Sequence, residues 1–500
     1  MEPHFSSNTL PPDHFLSQPR PDSTANATTL GSVDTTTLAA HDFDVDNRSG
    51  FMPPQEPLGR LPVQWEAWEA VLDVAIQDRL QLGEKVDQSQ EEKDKSSHWR
   101  ARVRELPLLP TTDLKSSEIV LRRAHIVLAW IMHFYVHSLP LDNDIKIPSP
   151  ITIPLLQVSN YLQLPPVLTY SDDVLYNWKS KSNSTTMPHL NDLQSRTLFT
   201  GLGDEEEFYL TSVRIELRGV EALSLMRSTM DELFVSDEIA VKRITSYLTR
   251  LAKVIDELSN LLMTVRHGCD PDIFYNKIRP WFKGADSDRR PWTFEGLDRE
   301  EAEGLEVPTE LSGPSAGQSS LIHAMDIFLG VVEYSHSEEI TGSTTPSSTS
   351  EISHSSTRPL STSYSSTTER QSFLARMQLY MPRHHRNFLN HLRSTTRPLR
   401  QFVVNNTCAD PDDARNTALL DAYNQAIVAL KGFRDKHIIL VSLYIVGPAR
   451  RASIRTRDEI GGGGEGTGET SDLKGTGGTN LVKFLKDVRD GTKGATIRMT

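Results

Sequence analysis

Residues 433–449 read FRDKHIILVSLYIVGPA. Just upstream, ALLDAYNQAIVALKGF carries Leu420, Tyr423, Ile427, Leu430 and Phe433 at steps of three and four, the spacing of a helix that buries one face. The apolar run Ile438, Ile439, Leu440, Val441, Leu443 and Ile445 continues it, so the stretch predicts one long helix entering the core. His437 stands at the mouth of that run, where an imidazole costs desolvation unless something holds its ring nitrogens. Two readings are open: a core histidine bonded to a neighbouring carbonyl, or a ligand to iron, for which neutral imidazole is a common donor.

Composition narrows the choice. Five hundred residues exceed one ordinary domain, and 37% hydrophobic with 24% charged residues describes a globular chain. A net charge of -13 argues against nucleic acid or an anionic membrane surface as partner, because both need a basic face. The two cysteines, Cys269 and Cys408, are far apart and form no CxxC. That excludes a cysteine zinc site and a disulfide framework, and it fits a reducing, cytoplasmic location. The N-terminus lacks the basic and apolar regions of a signal peptide, and the longest apolar runs, residues 126–132 and 438–446, are short for a bilayer span.

Along the chain, residues 1–45 are rich in Ser, Thr, Pro and Asp and read as a disordered tail. Helical patterns follow at 64–82 and from Ser117 through Tyr135, with a polar run at 84–97 that suits either helix or linker. The segment from Ile147 to Trp178 carries five prolines and is expected to be mostly extended, with a short helix at 155–162. A polar link at 179–195 precedes the amphipathic stretch 241–265, where Ile244, Leu248, Leu251, Ile255, Leu258 and Leu262 form one stripe behind a cap from Ser236, Asp237 and Glu238. Residues 335–368 read as a disordered Ser/Thr-rich insert, and residues 461–479 as a glycine-rich lid before a last helix. The expected fold is mainly α, with a small N-terminal domain at 46–195 against a large helical domain at 196–500.

Three further segments are unusual. FYNKIRPWFKGADSDRRPWTFEGL places Phe274 five residues before Arg279; SGPSAGQSSLIHAMDIFLG opens with a small-residue loop from Gly313 to Gly317; KGTGGTNLVKFL offers Thr476 among glycines. None of these alone is specific, and GTGGT lacks the lysine of a phosphate-binding loop. Together with LPPVLTYSDDVLYNW, FYLTSVRIEL, YMPRHHRNFL and AYNQAIVALKGFRDKHIILVSLYIV, in this order from about Leu164 to Arg489, they resemble the indoleamine 2,3-dioxygenase family of haem proteins.

The resemblance implies one noncovalent haem b with His437 as the proximal iron ligand, its second nitrogen hydrogen-bonded. It implies a distal pocket lined by Tyr170, Val174, Phe208 and Ser212, with Phe274 against the indole ring and Arg279 pairing with the substrate carboxylate. Ser315 and Ala316 match the loop over the haem, and Thr476 the lid. The implied reaction cleaves the indole C2–C3 bond of L-tryptophan with O2 to give N-formyl-L-kynurenine, the first step of the kynurenine route toward NAD, in a monomer without nucleic-acid or membrane partners. Pro314, a charge at Asp173 and the hydroxyl of Tyr209 depart from the usual pattern. They keep two alternatives in view: a haem binder of this fold with weak or no dioxygenase activity, and a haem-free helical scaffold.

Overall fold

The computed structural model describes residues 43–182, 190–331, 373–460 and 481–498, with side chains left out for 455–460. The expected insert at 335–368, the lid at 461–479 with Thr476, and nearly all of the N-terminal tail lie outside the described residues.

Helices dominate, as the periodicity predicts. In the first half, α1 (Glu66–Gln77), α2 (Gln90–Arg104), α3 (Glu118–His137) and α4 (Ser149–Leu162) surround a core of Trp68, Trp130 and Phe134. The ambiguous polar run at 84–97 resolves at Ser89, which accepts from Glu92 N–H while the Glu92 carboxylate accepts from Ser89 N–H, a reciprocal cap that starts α2. The prolines mislead in α4. Pro150 lies in its first turn, where no N–H is needed, and Pro154 is carried inside a helix of 14 residues. Helix α3, with 20 residues, is long and apolar enough to cross a bilayer by length and composition, and most of it is buried inside the protein.

In the second half, α5 (Gly203–Arg218) and α6 (Val220–Val235) break at Gly219, where a Cβ would lie 2.2 Å from Leu321 Cδ2; only glycine permits that approach. Helix α7 (Glu238–Thr264) is capped by Asp237, which accepts from Ala240 N–H. Its stripe of Ile244, Leu248, Leu251, Ile255 and Leu258 packs along α11 (Ala414–Val441), which presents Tyr423, Ala426, Ile427 and Leu430. Each leucine or isoleucine among them contributes about 1.5–3 kcal/mol on full burial. Helices α8 (Ser320–Phe328), α9 (Arg383–Arg393) and α10 (Leu399–Ala409) complete this second core, and α12 (Gly447–Ile460) and α13 (Leu481–Gly494) close the chain.

Among the described residues, sheet is confined to two small pairs. Strand β1 (Ile145–Ile147) lies parallel to β4 (Trp292–Phe294), and β2 (Trp178–Ser180) antiparallel to β3 (Leu193–Ser195). The first core draws residues from both sides of position 195, including Tyr209, Phe274, Trp281 and Leu440.

The opening stretch divides into two parts. Helix α11 runs through His437 to Val441 and yields to a π-helical turn, Ser442–Val446, before α12. Ile439 and Leu443, expected in the core, are 48% and 40% exposed. They stand two and six residues beyond His437, roughly the opposite face of the helix, so only part of the apolar run turns inward.

Candidate functional site

His437 shares its face of α11 with Arg434 and Leu440, one turn to either side. Arg434 is buried and holds both carboxylate oxygens of Asp326 on α8, at 2.5 and 2.6 Å, with a further bond to Thr492 Oγ1. That pair fixes α11 against α8. The His437 ring is half-buried and makes no hydrogen bond to a described residue; burial, and next the Arg434 charge, push it down to about 4. The imidazole is therefore neutral near pH 7 with a lone pair available. The hydrogen bond expected at its second nitrogen has no acceptor among the described residues; Arg434, one turn away, only donates, to Asp326 and Thr492.

Two turns beyond His437, the Tyr444 hydroxyl donates to the Cys269 carbonyl at 2.6 Å, and its ring packs edge-on to Phe274 at 5.7 Å. Phe274 opens the π-helical turn Phe274–Ile278 and lies 4.6 Å from Phe208 on α5. Phe208, Ser212 and Glu216 recur every four residues and share one face of α5. At the far end of that face, Glu216 accepts from Tyr170 Oη at 3.0 Å and from Ser319 Oγ at 2.7 Å. Burial pushes the Glu216 carboxyl up to about 7, with the two hydroxyl donors opposing. Tyr170 N–H also donates to Gln318 Oε1 at 2.8 Å, and Gln318 Nε2 to the Gly313 carbonyl at 2.9 Å.

These contacts close a circuit. It runs from α11 through Asp326 to α8, back along the 315–319 loop to Tyr170 and α5, and through Phe208, Phe274 and Tyr444 to α11. Of the residues expected from the sequence, His437, Tyr170, Phe208, Ser212 and Phe274 lie on this circuit, and Val174 is buried in the π-helical turn Ser171–Leu175 beside Tyr170. Ser315 accepts from Gly317 N–H at 3.2 Å and shapes the loop; Ala316 is exposed. The loop presses on the chain before it, since a Cβ at Gly313 would lie 1.8 Å from the Phe282 carbonyl oxygen.

Arg279 starts the short 3-10 turn Arg279–Phe282, half-buried, its guanidinium 5.7 Å from the Tyr275 ring centroid and its pKa lowered by burial. Asp286, the acidic neighbour that could claim it, instead accepts from Ser312 Oγ at 2.6 Å and lies 3.8 Å from Arg376. Trp281 anchors the turn: Phe199 stacks on it at 5.2 Å, and Phe199 stacks in turn on Trp130 at 4.0 Å. His133 on α3 ties this turn to the segment just before Tyr170 by donating Nδ1–H to the Trp281 carbonyl at 2.8 Å and accepting Leu168 N–H at Nε2, 3.2 Å. Burial holds that ring neutral, near 4, which the two-sided bonding requires.

Glu216, Gln318, Asp326, Arg434 and His133 escaped the sequence reading. All but Gln318 left a trace, namely a charge or histidine within an apolar helical pattern, and Arg434 also stands one turn before His437. Asp173, expected as a charge at the distal face, is 3% exposed, and burial pushes its carboxyl well above the usual range, toward the neutral acid. A surface cavity of about 470 Å³ between α1 and α2, lined by Asp78, Glu91, His98 and Trp99, contains none of the site residues.

The arrangement is that of a helical protein with a cluster of packed aromatic rings, a half-buried cation five residues from one of them and a neutral imidazole presented from a long helix. The family profile described as indoleamine 2,3-dioxygenase matches residues 39–495, so the chain belongs to that family and is a dioxygenase, an oxidoreductase. Similar proteins include the indoleamine 2,3-dioxygenase of Saccharomyces cerevisiae, 32% identical over 79% of this chain and 86% of its own length. Indoleamine 2,3-dioxygenase 1 of Rattus norvegicus is 28% identical over 91% of this chain and 95% of its own. The 6-hydroxytryptophan 2,3-dioxygenase of Fusarium equiseti is 28% identical over 90% and 95%.

Proposed function

We propose that this chain binds one haem b through His437 and cleaves the indole C2–C3 bond of L-tryptophan with O2, giving N-formyl-L-kynurenine. The observation that carries the reading is His437, an imidazole held neutral by its surroundings and making no hydrogen bond to a described residue, on a helix braced by a buried ion pair. A half-buried neutral imidazole with no hydrogen-bond partner among the described residues has a lone pair to offer, and a single imidazole suits iron already held by a macrocycle. Ferrous haem supplies the activation of O2, chemistry that no side chain here can provide.

The chain's own residues supply position. The Arg279 guanidinium is a planar fork suited to the amino-acid carboxylate, in surroundings dry enough to lower its pKa. Phe274, backed by Phe208 and Tyr444, gives the indole a ring to pack against. Tyr170 and Val174 form the wall beyond, and Glu216 holds that wall to the 315–319 loop. Anchoring one end and stacking the other fixes which bond of the ring faces the oxygen.

Some relatives carry other names: that of Fusarium equiseti is named for 6-hydroxytryptophan, so a ring-substituted tryptophan is the second substrate reading. The deciding assay adds L-tryptophan to reduced, haem-loaded protein under air and follows the near-ultraviolet absorbance of the product. Haem-replete protein that forms no product from tryptophan or a hydroxytryptophan under a range of reductants refutes the reaction.

A further inference from the structure

The wall around Tyr170 contains four buried carboxyls, and three are well supplied with donors. Asp172 accepts from Thr169 N–H at 2.8 Å and Thr169 Oγ1 at 2.7 Å, and meets His125 Nδ1 at 2.9 Å. Glu205 accepts from Phe199 N–H and Thr200 N–H, both at 2.7 Å, and from Thr200 Oγ1 at 2.6 Å. Glu216 has Tyr170 and Ser319. Asp173 differs. It sits between Tyr170 and Val174 in the turn Ser171–Leu175, 3% exposed, and its Oδ1 is buried without any hydrogen-bond partner among the described residues.

The surroundings explain why no neighbour satisfies it. The two phenols close enough to couple to its charge, Tyr170 and Tyr209, have committed their hydroxyls to Glu216 at 3.0 Å and Glu205 at 3.3 Å. Burial, and next the charge of Asp172, drive Asp173 toward the protonated acid, which can donate as well as accept. Most buried polar atoms in folded proteins are satisfied, and Asp173 Oδ1 is the one carboxylate oxygen among the described residues' buried side-chain atoms that is not; beside a binding wall, such an orphan points to a partner that arrives with a ligand.

The partner's position follows from the substrate pose proposed above. With the carboxylate at Arg279 and the ring against Phe274, the edge of the indole remote from the side chain, its benzo edge, meets the wall of Tyr170 and Val174. On that reading of the reaction, we infer that Asp173 is a specificity-determining residue and that the pocket prefers tryptophan bearing a hydroxyl on its benzo ring, the O–H pairing with Asp173 Oδ1. A site built to bond a hydroxyl discriminates strongly against the analogue that lacks it, because the site's own polar atom is then left unpaired.

The test uses the haem-loaded full chain with L-tryptophan, 5-hydroxy-L-tryptophan and 6-hydroxy-L-tryptophan. In the wild type, kcat/KM for at least one hydroxylated substrate is expected to exceed that for tryptophan by about tenfold or more. Asp173→Ala should reduce that ratio by about tenfold, and Asp173→Asn, which keeps a polar atom, by less. A wild type that prefers tryptophan, or variants that lose all three substrates in equal proportion, overturns the inference. Because a variant can fail to fold, the wild-type Soret change on substrate addition ranks binding independently. Tighter binding of a hydroxylated substrate without turnover keeps the inference and removes the dioxygenase reading; no response to a hydroxylated substrate removes the inference.

Discussion

Glu216→Gln isolates a single proton. The Glu216 carboxyl, 2% exposed, is raised from the ordinary 4.5 to about 7, with burial as the largest cause. The folded chain therefore holds this proton more tightly than the unfolded chain. The resulting stability is fully present below about 4.5 and is lost as pH rises through about 7. At about 1.4 kcal/mol for each tenfold change in proton affinity, the loss between pH 5 and pH 8 comes to roughly 2.5 kcal/mol. Glutamine cannot ionise, yet its carbonyl can still accept from Tyr170 and Ser319, so the variant lacks this slope. Urea unfolding followed by tryptophan fluorescence at pH 5, 6, 7 and 8 measures the gap between the two proteins, in which other titrations cancel. The gap is expected to move by about 2.5 kcal/mol in favour of the variant from the lowest to the highest pH. A gap constant to within about 0.5 kcal/mol would refute the burial argument, and with it the view of Glu216 as the proton-bearing clasp between Tyr170 and the 315–319 loop.

Removing His437 as His437→Ala should abolish the Soret band of haem-supplemented protein while leaving helical circular dichroism intact; an unchanged band sinks the ligand assignment. Asp326→Ala leaves Arg434 buried and unpaired by its carboxylate, and should cost about 3–5 kcal/mol in apo-protein unfolding, against less for Asp326→Asn. A loss under about 1 kcal/mol would show that Arg434 reaches solvent readily. Arg279→Ala should retain haem and lose most turnover of L-tryptophan but far less of tryptamine, which has no carboxylate; equal losses would mean that the arginine shapes the pocket without reading the ligand. Gly219→Ala forces a Cβ against Leu321 and should destabilise by about 1–3 kcal/mol, read in the same urea titration, and no change would show that α5 and α8 can part at this point.

The sequence by itself determined the helices and the candidate ligand. Steps of three and four in α7 and α11 announce faces that must be buried, and such periodicity is local, so it survives without knowledge of neighbours. His437, Phe274 and Arg279 were legible because they stand in ordered motifs whose spacing can be read along the chain. Proline spacing was a poorer guide, since the first turn of α4 absorbed what looked like a break. Tertiary structure alone decided which polar groups meet. Glu216 joins Tyr170 across 46 residues and Ser319 across 103, and Arg434 joins Asp326 across 108. It alone showed that Asp173 is enclosed with an oxygen unpaired, while Asp172 beside it is fully bonded. A residue's type fixes which hydrogen bonds it can make, but whether a buried group finds a partner depends on atoms brought beside it by packing, and that information is not carried by any single stretch of chain.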